Sequence, residues 1–174
     1  MAALTRLPLL DERGTARMIV EVPSGSTAKH KFDPQLEAFV FERHLPLGVA
    51  YPAPWGFFPS TLAEDGDPLD AMLWDDLAVP QGLVIAVRPI AIAKVSQRED
   101  SDSRVVRNDR LLVVPSRAQN TRALSGSGRA ELEHFFINVA RGSGHVATVD
   151  GWEDEVAAHT ALREAAERLV RSRK

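Results

Sequence analysis

The chain has 174 residues, a net charge of −3 and 44% hydrophobic residues. That is enough for a sizeable core and fits one domain spanning 1–174. So small a negative charge gives no electrostatic basis for binding nucleic acid or an anionic membrane, and the absence of cysteine excludes disulfides and thiolate catalysis.

In chain order, Met1 to Leu10 lacks the long apolar core and cleavage site of a secretory signal. Met18 to Val22 reads as a strand ending at Pro23, followed by a turn at Ser24-Gly25-Ser26-Thr27. Lys29 to Asp33 and Ala38 to Glu42 form a hairpin pair. Val49 to Pro59, rich in Pro, aromatics and Gly, is an ordered irregular segment. Leu69 to Trp74 and Leu83 to Val95 are strands, the second bent at Arg88-Pro89. Arg88, Pro89 and Lys94 also break the best apolar run, so no membrane span is expected and a cytoplasmic location is. Ser96 to Asp109 is a polar loop without periodicity, and Leu111 to Val114 another strand.

Two helices follow. Leu132, Phe135, Phe136 and Val139 recur at i, i+3, i+4 and i+7, a core-facing stripe. The second helix runs from about Glu153 to the C-terminus, with Val156, Ala157, Thr160 and Leu162 through Leu169 marking its buried side. Between them His145 to Val149 alternates like an edge strand. Short strands first and two helices last predict a mainly β fold with flanking helices, a small barrel on which the helices pack.

The densest chemical signal is Asp65-Gly66-Asp67-Pro68-Leu69-Asp70, three carboxylates in six residues with a glycine and a proline fixing the turn. Close carboxylates repel one another unless a cation sits among them. Hard divalent ions take oxygen ligands and commonly bridge carboxylates to a phosphate, which points to phosphoryl chemistry. Asp, Gly and Pro are also ordinary turn residues, so the hexapeptide alone reads equally as a solvated acidic turn. An EF-hand loop does not fit, because Leu69 and Asp70 stand where that loop needs an oxygen ligand and a glycine. Trp55, Phe57 and Phe58 read as core packing, and His30, His44, His145 and His159 show no ligand spacing.

Further segments accompany the hexapeptide in a fixed order: Glu21-Val22-Pro23, Lys29, Arg43, Tyr51-Pro52, Trp55-Gly56, Gly82-Leu83-Val84-Ile85, Arg88-Pro89-Ile90, Val113-Val114-Pro115, His134-Phe135-Phe136 and Gly151-Trp152-Glu153. This order resembles the family I soluble inorganic pyrophosphatases over almost the whole chain. The resemblance implies a five-stranded OB-type barrel and Mg²⁺-dependent hydrolysis of pyrophosphate, with Mn²⁺ as an alternative metal. It implies that Asp65 and Asp70 hold metal, that Asp67 holds metal and helps activate the attacking water, and that Glu21 supports them. It implies that Lys29, Arg43, Tyr51, Trp55 and Arg110 surround the substrate. It further implies a homo-oligomer, commonly a hexamer among bacterial members.

The departures from the family pattern are specific. Lys31 stands where the family has Glu, Trp55 where it has Tyr, and Arg110 where it has Lys. Two carboxylate ligands align with Gln97 and Asn108. A Tyr-Lys pair on the first helix aligns with Val139 and Ala140, with Arg141 one residue on. Asn108 retains an oxygen donor. Glu99, Asp100, Asp102 and Asp109 in the polar loop are candidates to re-supply a carboxylate, although loop acids are commonly just solvated. Asn108 and Asp102 therefore complete the expected metal set. Two other outcomes stay open: a catalytically impaired relative that binds phosphate or metal, and a hydrolase of another phosphoanhydride.

Overall fold

The computed structural model describes residues 4–99, 103–119 and 121–173. After a single 3-10 turn at Leu4–Arg6, the strands are β1 (Ala16–Val22), β2 (Ala28–Asp33), β3 (Ala38–His44), β4 (Trp55–Phe57), β5 (Asp70–Leu73), β6 (Val84–Glu99), β7 (Val106–Arg107) and β8 (Arg110–Pro115). Helix α1 (Gly126–Arg141), strand β9 (His145–Glu153) and helix α2 (Glu155–Ser172) complete the chain.

Five strands close on themselves in the order β1, β4, β5, β8, β6, with β6 returning to pair β1. All these pairings are antiparallel except β5 with β8. This is the closed five-stranded sheet that the family resemblance implied. Hairpin β2–β3 is a separate two-stranded sheet, while β7 and β9 extend the ring from the far end of β6.

The ring strands carry apolar runs because both their faces are covered. On β5 and β8, Ala71, Leu73, Leu111 and Val113 pack with Ala158, Leu162 and Ala165 of α2. Their alternate neighbours, Met72 and Leu112, pack with Leu132, Phe135 and Phe136 of α1. Ser125 caps α1 by accepting the Gly128 N–H, and Asp154 caps α2 by accepting the Ala157 N–H. Gly56 is fixed by contact: a Cβ there would lie 1.8 Å from the Ile19 carbonyl oxygen across the β1–β4 pair.

Three sequence expectations need correction. Ser96 to Asp109 is not all loop: β6 continues to Glu99 because β9 pairs with it through Glu99, and Val106–Arg107 form β7. Trp55–Phe57 is a strand within the segment expected to be irregular. Val156 is 72% exposed rather than buried, since α2 turns Ala158, Leu162 and Ala165 to the core. The bend in β6 appears as expected, as a register shift between Pro89 and Ala91. Among the described residues no helix is long and apolar enough to cross a membrane.

Candidate active site

A cavity of about 860 Å³ gathers side chains from β1, β2, β3, the acidic turn, β6, β8 and α1. Glu21, Lys29, Arg43, Tyr51, Trp55, Asp65, Asp67, Asp70, Asn108 and Arg110 all line it. Asp102 and Asp100 lie outside the described residues. Lys31, Gln97, Glu99, Val139 and Ala140 line the same cavity.

Two β-bulges aim acids into this space. On β1, Val20 and Val22 pair with consecutive residues Gly56 and Trp55, leaving Glu21 as the extra residue. On β3, Arg43 and Phe41 pair with consecutive Lys29 and His30, leaving Glu42 extra. A bulge re-aims a side chain that the pleat would otherwise send elsewhere. Glu42 then meets Lys29, its Oε1 and Oε2 lying 3.2 and 3.1 Å from the ammonium.

The acidic turn is tied down locally. Gly66 has φ of 92°, a conformation suited to glycine. Thr61 Oγ1 donates to the Phe58 carbonyl at 2.7 Å and accepts the Leu69 N–H at 2.9 Å. The Asp67 N–H donates to Asp65 Oδ1 at 3.1 Å. Asp70 opens β5, whose parallel register with β8 sets Ala71 beside Leu111 and hence Asp70 beside Arg110. Their ion pair is 2.9 Å long.

Arg110 does more than pair with Asp70. Its guanidinium lies over the Trp55 ring, 5.3 Å from the centroid, and donates to both the main-chain and side-chain oxygens of Asn108. The Asn108 oxygen expected to face a metal is thus engaged by Arg110. Asp109 does not line the cavity; it pairs with Lys94 at 2.6 Å and Arg107 at 2.7 Å and accepts the Val95 N–H at 2.9 Å.

Burial pushes the Glu21 carboxyl up to about 7, opposed by the Phe32 N–H it accepts at 2.8 Å and reinforced by the charge of Asp70. Burial likewise pushes Asp70 up to about 6, with Arg110 opposing and Asp65 and Asp67 adding repulsion. Burial also raises the Tyr51 hydroxyl, whose ring packs edge-on to Phe135 at 5.2 Å. Arg43 donates Nη2 to the Val139 carbonyl at 2.9 Å, yet its Nε and Nη1 are buried without a hydrogen-bond partner. Buried donors are rarely left so, and an anionic ligand would satisfy them.

The donor chemistry suits a hard cation. Asp65, Asp67, Asp70 and Glu21 offer oxygen alone, and Asp65 has no ion-pair partner among the described residues. Among the described residues no three acidic or histidine side chains already converge on one point. Asp67 instead holds Lys31 Nζ, at 2.9 Å from Oδ1 and 2.8 Å from Oδ2. Sequence reasoning noted Lys31 only as a departure. Its signal was the spacing of two from Lys29, which puts both ammonium groups on one face of β2. Arg6, Arg98, Arg104 and Arg173 also line the cavity, and no local pattern marked them.

The family model for inorganic pyrophosphatase matches residues 18–170. An inorganic pyrophosphatase of Thermus thermophilus is 34% identical over 170 residues, covering 94% of this chain and 95% of its own. One from Synechocystis is 32% identical, covering 87% of this chain and 89% of its own. The crystal structure of the Thermus thermophilus enzyme superposes with a TM-score of 0.84 at 30% identity, covering 97% and 99% of the two chains. A Coxiella burnetii inorganic pyrophosphatase gives 0.81 at 27% identity, covering 94% and 99%. With ring, acidic turn and cation-lined cavity in the same chain, these matches show that the protein belongs to the family I inorganic pyrophosphatases.

Proposed function

We propose that this chain hydrolyses inorganic pyrophosphate to two phosphates, with Mg²⁺ as its metal and Mn²⁺ as a substitute. The observation that carries the reading is Arg43. It lines the cavity that also holds the Asp65–Asp70 turn, and two of its guanidinium nitrogens have no hydrogen-bond partner in the protein. Pyrophosphate brings several negative charges that repel a nucleophile, so positioned cations must neutralise them. Arg43 holds phosphate oxygens at one wall, Lys29 adds a point charge, and Arg110 is braced over Trp55. Asp65 and Asp70 would hold the metal, with Asn108 behind Arg110 and Asp67 paired with Lys31. When bound, the metal neutralises phosphate charge and acidifies water. Water oxygen bonds to one phosphorus as the bridging P–O bond breaks; Asp67 receives the water's proton, and the electron pair leaves on the departing phosphate. Glu21, buried beside Asp70, holds the cluster's geometry through its bond from the Phe32 N–H.

A second reading has its own observation. Val139 and Ala140 bring no polar side chain to the cavity, and Lys31 and Arg110 already occupy Asp67 and Asp70. These favour weakened turnover, or a phosphate-binding relative of the enzymes. The family background also supports a cytoplasmic homo-oligomer, a hexamer in the bacterial pattern. Phosphate release from pyrophosphate over a Mg²⁺ and Mn²⁺ series, beside tripolyphosphate and ATP, tests the two readings of activity. Pyrophosphate turnover abolished by EDTA is the expected result. Folded protein silent on pyrophosphate at every metal concentration would overturn the enzyme reading in favour of the second.

A further inference from the structure

Lys31 leaves β2 on the same face as Lys29 and reaches across to the acidic turn. Its Nζ lies 2.9 and 2.8 Å from the two oxygens of Asp67. A donor held almost equally between both oxygens of one carboxylate takes the place of a cation chelated by that carboxylate. The three acids of the turn are therefore in three different states. Asp70 holds Arg110 at 2.9 Å, Asp67 holds Lys31, and Asp65 has no cationic partner among the described residues.

The Lys31–Asp67 pair is not a stability device. Its side chains are 46% and 55% exposed, and ion pairs so solvated contribute little to folding. Its effect is local: an ammonium at this point repels a divalent ion approaching Asp67 and pre-empts the oxygens that ion needs.

We infer that Lys31 is a tethered cation that fills the metal position at Asp67, so that the acidic turn takes up one divalent ion fewer than its carboxylates could hold. The inference rests on the reading of the Asp65–Asp70 turn as a metal site. Lys31 is then a positioning residue: it holds Asp67 oriented without a metal ion on it.

Mn²⁺ binding to the full-length protein, followed by calorimetry and by the electron-spin signal of free Mn²⁺, tests this directly. Lys31→Met should take up one more Mn²⁺ per chain than wild type, and Lys31→Glu should bind that ion tighter still, by about tenfold. The added ion should vanish in Lys31→Met/Asp67→Asn, while Lys31→Arg should keep the wild-type count. Lys31→Met and Lys31→Glu that fold normally by circular dichroism and bind Mn²⁺ as wild type does would overturn the inference and leave the metal reading standing. Mn²⁺ uptake by wild type that Asp70→Asn leaves unchanged would remove the metal reading, and the inference with it.

Discussion

Two charged clusters lie on opposite faces of β6, and they differ in completeness. Lys94 faces the smaller one, in which Asp109 and Asp150 each meet a cation at 2.6 to 2.7 Å. Val95 and Gln97 face the large cavity, where Arg43 has two buried nitrogens without partners and Glu21 and Asp70 are pushed up to about 7 and 6. Unmatched buried polarity costs stability, so it persists where a ligand supplies the missing partner. The matched cluster ties β6, β7 and β9 together; the unmatched one is where we propose the substrate binds.

Substitution of one acid in each cluster makes the sharpest contrast. Asp70→Asn should lower pyrophosphate turnover by about 1,000-fold and weaken Mn²⁺ binding, because it removes an anionic ligand from the proposed metal, whose charge offsets that of the phosphates. Asp109→Asn should leave turnover close to wild type and lower stability by about 1–3 kcal/mol, through the charge it removes beside Lys94 and Arg107, while its amide oxygen still accepts the Val95 N–H. Steady-state kinetics and urea melts of both variants measure this. Equal loss of turnover in the two would erase the distinction.

The next effect lies in pH. The folded-state pKa of Glu21 is raised from 4.5 to about 7, so the folded protein binds this proton more tightly than the unfolded chain. Its contribution is fully present below about pH 4.5 and is lost as pH rises through 7. In EDTA, wild type should lose about 3 kcal/mol on this account by about pH 8. Asp70, raised to about 6, adds a smaller loss of the same sign. Glu21→Gln keeps an acceptor for the Phe32 N–H and should flatten the slope between about pH 6 and 7, leaving the part due to Asp70 below it. A variant whose melting temperature falls with pH as steeply as wild type's would show that Glu21 does not carry it.

Arg43 and Arg107 extend the comparison to cations. Arg43→Ala should raise KM for pyrophosphate by about 10- to 30-fold, the scale of a charge-assisted hydrogen bond. It should cost little stability, because two of the donors it removes are unsatisfied. Arg107→Ala should do the reverse, leaving KM alone and lowering the melting temperature. A destabilised Arg43→Ala with wild-type KM would make Arg43 a structural residue.

Much of this was readable from residue order. The strand cores, the stripe on α1 and the acidic turn each carry a local period or a local repulsion that sequence displays. What stayed hidden depends on pairing across the fold. β6 runs through Ser96–Glu99 because β9 lies against it, and those polar residues carry no strand pattern of their own. Glu42 faces the cavity because of a bulge, which only the register with β2 reveals. Asn108 turns to Arg110, and Asp109 to Lys94 and Arg107, through neighbours that the linear sequence does not identify as partners.

The smallest expected effect concerns the apolar wall. Val139 and Ala140 line the cavity, and Ala140, 9% exposed, offers it only a methyl group. Val139→Tyr/Ala140→Lys would put a hydroxyl and an ammonium on that wall, facing the phosphate that Arg43 does not hold. The gain is limited from two sides. A lysine at 140 enters beside the Arg43 guanidinium, which already donates to the Val139 carbonyl, so like charges meet before substrate arrives. A partly solvated ionic contact is also worth less than about 1 kcal/mol, which corresponds to a KM lower by about threefold. The same double substitution in Arg43→Ala should recover more, because the repulsion is gone. If KM rises in both backgrounds, crowding of α1 against the cavity outweighs the added charge, and the apolar wall is part of how this site fits its substrate.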